Sequence, residues 1–488
     1  MKSVMYHLWM PSQYRRAVRL FLLAGFLAVP YASAETIVLK SGRRIVANSV
    51  VEEGDKVVYE TAVGRIAIPK SLVERVEAGG APRPRRADAV NEQAAEELSV
   101  RIEAPRTDTE AIIRGNKVDE ERLRLLASNA AKGDLERQNA VNAHLIAAAF
   151  EAKAKQFAAA GRWAEEAVRL SGRDLNALLV ASQIDIARQQ YSEALDHLYV
   201  ASTVKPDSPD VLTLQGYAHY YAEGPERALR FWSQSLAIRP DDRLRQRVEQ
   251  VEREAAVEGS FQQAESGNFL LSWEGSEVSR SFSREVLESL ERRFRELQIS
   301  LDYTPREPIA VILYTTQQFA DITQSPSWAG AINDGKVRVP VQGLSSMTPG
   351  LEQVLKHEMV HSFVHRIAEG RCPTWFNEGL AQMESAEDLG RYGPALAKLY
   401  SQSRQVPLVK LEGSFQGLTS SGAALAYAES HAAVEMLRDR YGAYQLPGLL
   451  RSLGTGKTME QTLREALRMT YEDMETELAQ YLAKRFGP

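Results

Sequence analysis

At 488 residues, with 44% apolar and 25% charged side chains, the chain has the composition of ordinary globular protein and is too long for one hydrophobic core. A formal net charge of -5 excludes the basic excess expected of a nucleic-acid binder, so no nucleic-acid partner is expected. The single cysteine, Cys372, excludes an internal disulfide and leaves no cysteine to carry a lipid after an export signal.

The first elements are a leader and a β module. Arg15, Arg16 and Arg19 precede the apolar stretch Leu20 to Val29, which is followed by Ala32-Ser33-Ala34. A basic segment, an apolar core of about 10 residues and small residues before the cut read as a signal peptide over 1–34. A membrane helix needs about 20 apolar residues, so no stable membrane anchor is expected after cleavage. Export without disulfides points to a periplasmic or secreted bacterial protein held together by its packed cores. Residues 35–78 read as a small β module, because Thr36 to Leu39, Ile45 to Val51, Val57 to Glu60 and Arg65 to Ile68 are short runs separated by turn residues. Its expected role is structural or docking. The Pro/Arg-rich stretch opening 79–107 reads as a linker.

From 108 to 257 the pattern is helical, and it repeats. The same interval separates Ala194 from Ala228, Pro206 from Pro240, Leu178 from Leu212 and Ser182 from Gly216. It matches the length of one tetratricopeptide repeat, about 34 residues. With small residues at helix crossings and a closing proline, the pattern resembles tetratricopeptide repeats, with a degenerate third copy over Asn139 to Arg173. Stacked helix pairs of this kind commonly hold peptides or partner proteins. An ordinary helical bundle with accidental spacing is the plainer alternative.

From 266 to 488 strands precede helices, which indicates an α+β domain. Phe269 to Trp273 and Ile309 to Leu313 read as strands, with an amphipathic helix from Ser283 to Leu301 between them. Val337 to Val341 reads as an edge strand, because Pro340 lies inside it. A long helix is expected from Pro349 to about Glu369, with Thr348 as N-cap.

That helix carries His357-Glu358-Met359-Val360-His361. Spacing of i, i+4 puts both imidazoles on one face, where they can share one Zn²⁺ at about 2.0–2.1 Å. Glu358 stands beside them, able to take a proton from water. A helical His pair can also be a solvated face. His365 extends the same face but lies roughly 12 Å along the axis from His357, too far to share one ion, and reads as a supporting or surface residue. Downstream, Glu378 is set in Trp375-Phe376-Asn377-Glu378-Gly379-Leu380-Ala381. A carboxylate in so apolar a helix needs a cation or a hydrogen-bonding partner, and backbone amides at the helix start could supply the latter.

HEMVH paired with WFNEGLA resembles the gluzincin peptidases, and more narrowly the peptidase MA-like family, which often carries tetratricopeptide repeats on the same chain. Trp328-Ala329-Gly330, Lys336 to Pro340 and Tyr427-Ala428-Glu429-Ser430 add to the likeness. The resemblance implies a zincin-like domain with His357, His361 and Glu378 as zinc ligands and Glu358 as general base. It also implies an edge strand lining the cleft and a donor for the oxyanion, for which Tyr427 is the first candidate and His431 the second. Ser430 and His431 stand where the related aminopeptidases usually have lysine and glycine. The metzincin pattern fails, since Val364 and Ile367 occupy its glycine and third-histidine positions.

The expected protein is therefore multidomain: a small N-terminal β module, an all-α tetratricopeptide-like array, and a C-terminal α+β zincin-like (gluzincin) domain. Its expected function is zinc-dependent hydrolysis of peptide or protein substrates, with the repeats binding substrate or a protein partner. The competing expectations are a periplasmic scaffold with an inactive zincin domain, and a zinc hydrolase of another amide or ester.

Overall fold

The computed structural model describes residues 35–40, 44–47, 49–61, 64–78, 112–115, 117–275, 278–315, 318–319, 322, 331–341, 344–415 and 420–487. The expected signal peptide, the linker 79–107 and Trp328-Ala329-Gly330 lie outside them.

Six strands open the described chain: β1 (Glu35–Leu39), β2 (Arg44–Ala47), β3 (Ser49–Glu53), β4 (Lys56–Thr61), β5 (Gly64–Pro69) and β6 (Val73–Ala78). They make two antiparallel sheets, ordered β2-β1-β6 and β3-β4-β5. β6 lies beyond Pro69 and so past the last strand expected from the sequence. Ile37, Val57 and Tyr59 are buried, and their cluster runs on into the core of the C-terminal domain.

A hairpin of β7 (Ile113–Arg114) and β8 (Lys117–Val118) stands where the helical stretch was expected to begin. Gly115 supplies the left-handed φ of 55° for its turn, which a continuing helix would not accommodate. Eight helices follow: α1 (Glu120–Asn129), α2 (Asp134–Lys153), α3 (Phe157–Leu170), α4 (Leu175–Ala187), α5 (Tyr191–Val204), α6 (Pro209–Ala222), α7 (Pro225–Ile238) and α8 (Asp242–Glu258). The starts of α3, α5 and α7 are each one repeat length apart, as are those of α4 and α6. Asp174 and Ser208 cap α4 and α6 at equivalent positions, accepting from the N–H groups of Ala177 and Val211. Ala160, Ala194 and Ala228 are fully buried on α3, α5 and α7. Gly216 lets α6 lie against Trp232, because a Cβ there would come within 2.2 Å of the indole nitrogen.

The C-terminal part contains β9 (Gln262–Glu265), β10 (Phe269–Trp273), α9 (Arg280–Ser300), β11 (Ile309–Tyr314), β12 (Ile332–Asn333), β13 (Val337–Pro340), α10 (Pro349–Ala368), α11 (Thr374–Glu384), α12 (Gly393–Ser401), α13 (Ser420–Tyr441), α14 (Gln445–Gly454), α15 (Met459–Leu467) and α16 (Tyr471–Phe486). Among the described residues no helix is long and apolar enough to cross a membrane. The sheet order is β12-β13-β11-β10-β9, parallel in its centre and antiparallel at both ends.

This order corrects the expected edge. β13 is flanked by β11 on one side and β12 on the other, so β12 is the edge strand. β12 pairs only with Val337 and Arg338. Pro340 ends β13 beyond that reach, so its missing N–H costs no bond to β12.

One face of the sheet, with Phe269, Leu271, Val311, Leu313, Val337 and Val339, packs into the main core with α9 and α10. The other face meets the array: Ile312, Tyr314 and Ile332 cluster with Val257 and Phe261 around the end of α8. Arg338 points to that side and is 0% exposed. Its Nε bonds Asp334 at 3.2 Å, Nη1 bonds Glu258 at 3.0 Å and Tyr314, and Nη2 bonds Tyr220 at 3.0 Å and Glu254 at 3.1 Å. All five guanidinium donors are thereby used.

Candidate metal centre and cleft

Helix α10 starts as its sequence suggests. Thr348 accepts from the N–H of Leu351 at 3.0 Å, and Pro349 takes the first helical position. It ends at Glu369 and Gly370, both left-handed, with φ of 50° and 71°. The helix therefore spans His357 and His361 without interruption, and their rings lie 4.9 Å apart at 81°.

Helix α11 brings the carboxylate. Trp375, near its start, donates to Tyr471 at 3.0 Å and anchors it to the C-terminal helices. Gly379 lets α11 press onto α13: an added Cβ would come within 2.3 Å of the Ser430 carbonyl oxygen. One residue earlier, Glu378 is 5% exposed. Its Oε2 lies 3.6 Å from His357 Nε2 and 3.8 Å from His361 Nε2. All three donor atoms fall within 4.8 Å of one another. Tetrahedral bonds of about 2.0–2.1 Å would space ligand atoms about 3.3 Å apart, so small side-chain rotations bring this set onto zinc.

The tautomers agree with that use. His357 Nδ1 lies 3.1 Å from Glu387 Oε1, and His361 Nδ1 lies 3.0 Å from Asn377 Oδ1. Both oxygens only accept, so each Nδ1 donates, and each Nε2 faces Glu378, where once deprotonated it would offer its lone pair to a metal. Asn377 stands inside the WFNEGLA segment, where nothing in the sequence assigns it a role. Glu387 has no local signal, because it arrives by the turn after α11, where Ala386 adopts φ of 58°.

Charge at the centre favours a cation. Burial would raise the Glu378 carboxyl, but His361 and His357 outweigh it and hold it below its usual range. Burial would lower His357, yet Glu378 and Glu387 hold it up to about 10. A divalent ion would take the place of that proton. Glu358 behaves differently: burial lifts its carboxyl above the usual range against the pull of His361 and His357. It is 9% exposed and lines the same cleft. Asn333 of the edge strand donates to the Glu358 carbonyl at 2.8 Å and to Ser362 Oγ at 2.7 Å, tying the rim to the helix.

Residues 295–484 match the family model of the Peptidase MA superfamily. The match supports a metallopeptidase-type domain, and all the residues of the centre fall within it. Strands β9 and β10 precede the matched segment but belong to the same sheet. Peptidases of this kind are typically zinc-dependent. No curated protein matches the chain.

The cleft of the matched domain has a volume of about 820 Å³ and is lined by Glu358, Tyr427 and His431 beside the three donors. Helix α13 begins at Ser420, so Tyr427 and His431 lie one turn apart on it. The alanine-rich start outweighs Gly422. Tyr427 meets Phe415 edge-on at 5.3 Å, and His431 is 4% exposed. His365 is not a surface residue. It lines the cleft beyond His361, and burial, together with Arg366, drives its imidazole down to about 4 against the pull of the Ala187 carbonyl.

Proposed function

We propose that the protein is an exported zinc peptidase, with His357, His361 and Glu378 as ligands, Glu358 as general base and a tetratricopeptide-like array that takes part in holding substrate or a protein partner. The observation carrying this reading is the convergence of two Nε2 atoms and a buried carboxylate, each imidazole oriented by its own acceptor. Export is supported by the leader pattern over 1–34.

Zinc held there would supply Lewis-acid polarisation of the substrate carbonyl and bring the pKa of water toward about 7. Glu358, its affinity for protons raised by burial, takes the proton of the attacking water and delivers it to the leaving amine. Tyr427 or His431 donates to the developing oxyanion from the facing helix. β12, outermost on this side of the sheet among the described residues, is the strand beside which an extended chain would lie.

Protein purified without chelators from the periplasmic fraction should begin at Glu35 and carry about one zinc per chain. Glu358→Gln should keep the zinc and lose cleavage of a peptide library by on the order of 10²–10⁴-fold. Absence of zinc refutes the metal reading; cleavage unchanged in Glu358→Gln refutes the mechanism. Zinc present with no cleavage by the wild type would favour the scaffold alternative.

A further inference from the structure

Among the described residues, a single residue of the helical array reaches the cleft. Gln189, in the turn between α4 and α5, lines it together with Val364, His365 and Cys372. Gln189 has a left-handed φ of 59°, and Lys155, one repeat earlier in the turn between α2 and α3, has 58°. Two copies share this backbone shape, which glycine or asparagine would adopt at lower cost than glutamine; one repeat later Glu223 has φ of -125° and Gly224 takes the positive φ of 120°. The two turns are used differently. Beside Lys155, Gln156 donates to the Gly456 carbonyl at 2.9 Å and docks the array.

Gln189 is 9% exposed, yet only one end of its amide is engaged. Arg366 Nε, just over one turn past His361, donates to Gln189 Oε1 at 3.2 Å. A guanidinium can only donate, so this contact fixes which end of the amide is oxygen. Among the described residues Nε2 meets no acceptor. The nitrogen keeps some accessible surface and borders the cleft, so a group bound there can reach it.

The surroundings select the acceptor. Arg366 is committed to Gln189 and, at 2.8 Å, to the Glu307 carbonyl. Arg188 faces Glu369 at 3.5 Å, and Arg371 donates to the carbonyls of Ala154 and Gly456 at 2.7 and 3.0 Å. Each nearby cation holds at least one partner, with the Nε atoms of Arg188 and Arg371 left buried and unpaired. A neutral amide donor matches a neutral carbonyl. Five residues of α10 separate Arg366 from His361, about 7.5 Å of helix axis. An extended chain advances about 3.3 Å per residue, so the matching carbonyl lies about two residues from the bond at the centre.

We propose that Gln189 of the helical array is a substrate-binding residue of the cleft, its Nε2 donating to a main-chain carbonyl of an extended peptide about two residues from the scissile bond. The inference rests on the peptidase reading above. It makes the array a part of the site and not only a separate docking arm.

The test is equilibrium binding of a random octapeptide library to zinc-loaded Glu358→Gln protein and to Glu358→Gln/Gln189→Glu. Glutamate keeps an oxygen for Arg366 and nearly the same volume, but replaces the donor with an acceptor. Library affinity should fall about five- to tenfold, whatever the peptide side chains, with Tm and zinc content unchanged. Gln189→Ala in the same background should show a similar fall. If glutamine served only to anchor Arg366, Gln189→Glu would bind peptide as its parent does. That result overturns the inference and leaves the peptidase reading standing. A fall in affinity matched by a fall in Tm also overturns it. A Glu358→Gln parent that holds zinc but binds no library peptide overturns both.

Discussion

Two histidines on one helix present four ring nitrogens, and their use depends on which pair faces the cleft. Asn377 and Glu387 decide this by accepting from the two Nδ1 atoms. Asn377→Ala or Glu387→Ala should therefore weaken zinc binding by about 10–100-fold, read by competition with a chromophoric chelator, while helix content is unchanged. The ligand pair itself is legible in sequence, because i, i+4 spacing within a helix needs no information from elsewhere. The orienting pair is not. Asn377 stands next to Glu378 in the chain, but its partner His361 is reached only when α11 crosses α10, and Glu387 lies past the end of α11.

At the scale of elements, the centre depends on how closely α11 approaches α13. Gly379 sets that approach, since a Cβ there would meet the Ser430 oxygen at 2.3 Å and Val434 Cγ2 at 2.6 Å. Gly379→Ala must push the helices apart and carry Glu378 with them. It should cost about 1–3 kcal/mol in denaturant unfolding and lower the zinc content of the purified protein. A fully stable, fully metallated Gly379→Ala would show that the crossing does not control the site. The edge strand shows the limit of local reading. Pro340 correctly marks a position lacking a ladder bond, but only the pairing of Ile332 and Asn333 with β13 reveals which strand is outermost.

Across the whole molecule, the array and the C-terminal domain share one buried polar knot. Arg338 reaches from β13 to Glu254 and Glu258 of α8 and to Tyr220 of α6, while Asp334 in the β12–β13 turn takes its Nε. Asn333, in the adjoining strand, holds the Glu358 carbonyl, so the array, the cleft rim and the HExxH helix are mechanically connected. Arg338→Met removes the cation bonded to Glu254, Glu258 and Asp334, leaving Lys336 and Arg247 as the positive charges beside Glu254. It should destabilise the protein by about 3–5 kcal/mol, measured as a lowered midpoint in urea. An unchanged midpoint would mean that water reaches those carboxylates without cost. In sequence, Lys336 and Arg338 alternate with valines as a half-solvated strand would, and nothing local shows that the charged face is covered.

The sequence by itself determined the helix around His357 and His361, the capped start at Thr348, the period of the helical repeats and the alternation of the central strands. These are properties of the chain's own spacing, fixed by the helical and extended geometries of the backbone. The tertiary structure alone decided that Glu387 and Asn377 orient the imidazoles, that β12 is the rim, that Arg338 is buried, and that Gln189 faces the cleft. Each of these depends on surfaces far apart in the chain meeting as the array packs on the sheet and α10. The candidate metal centre is readable because most of it lies within one helical turn, and Gln189 is hidden because it comes from a distant repeat of the array.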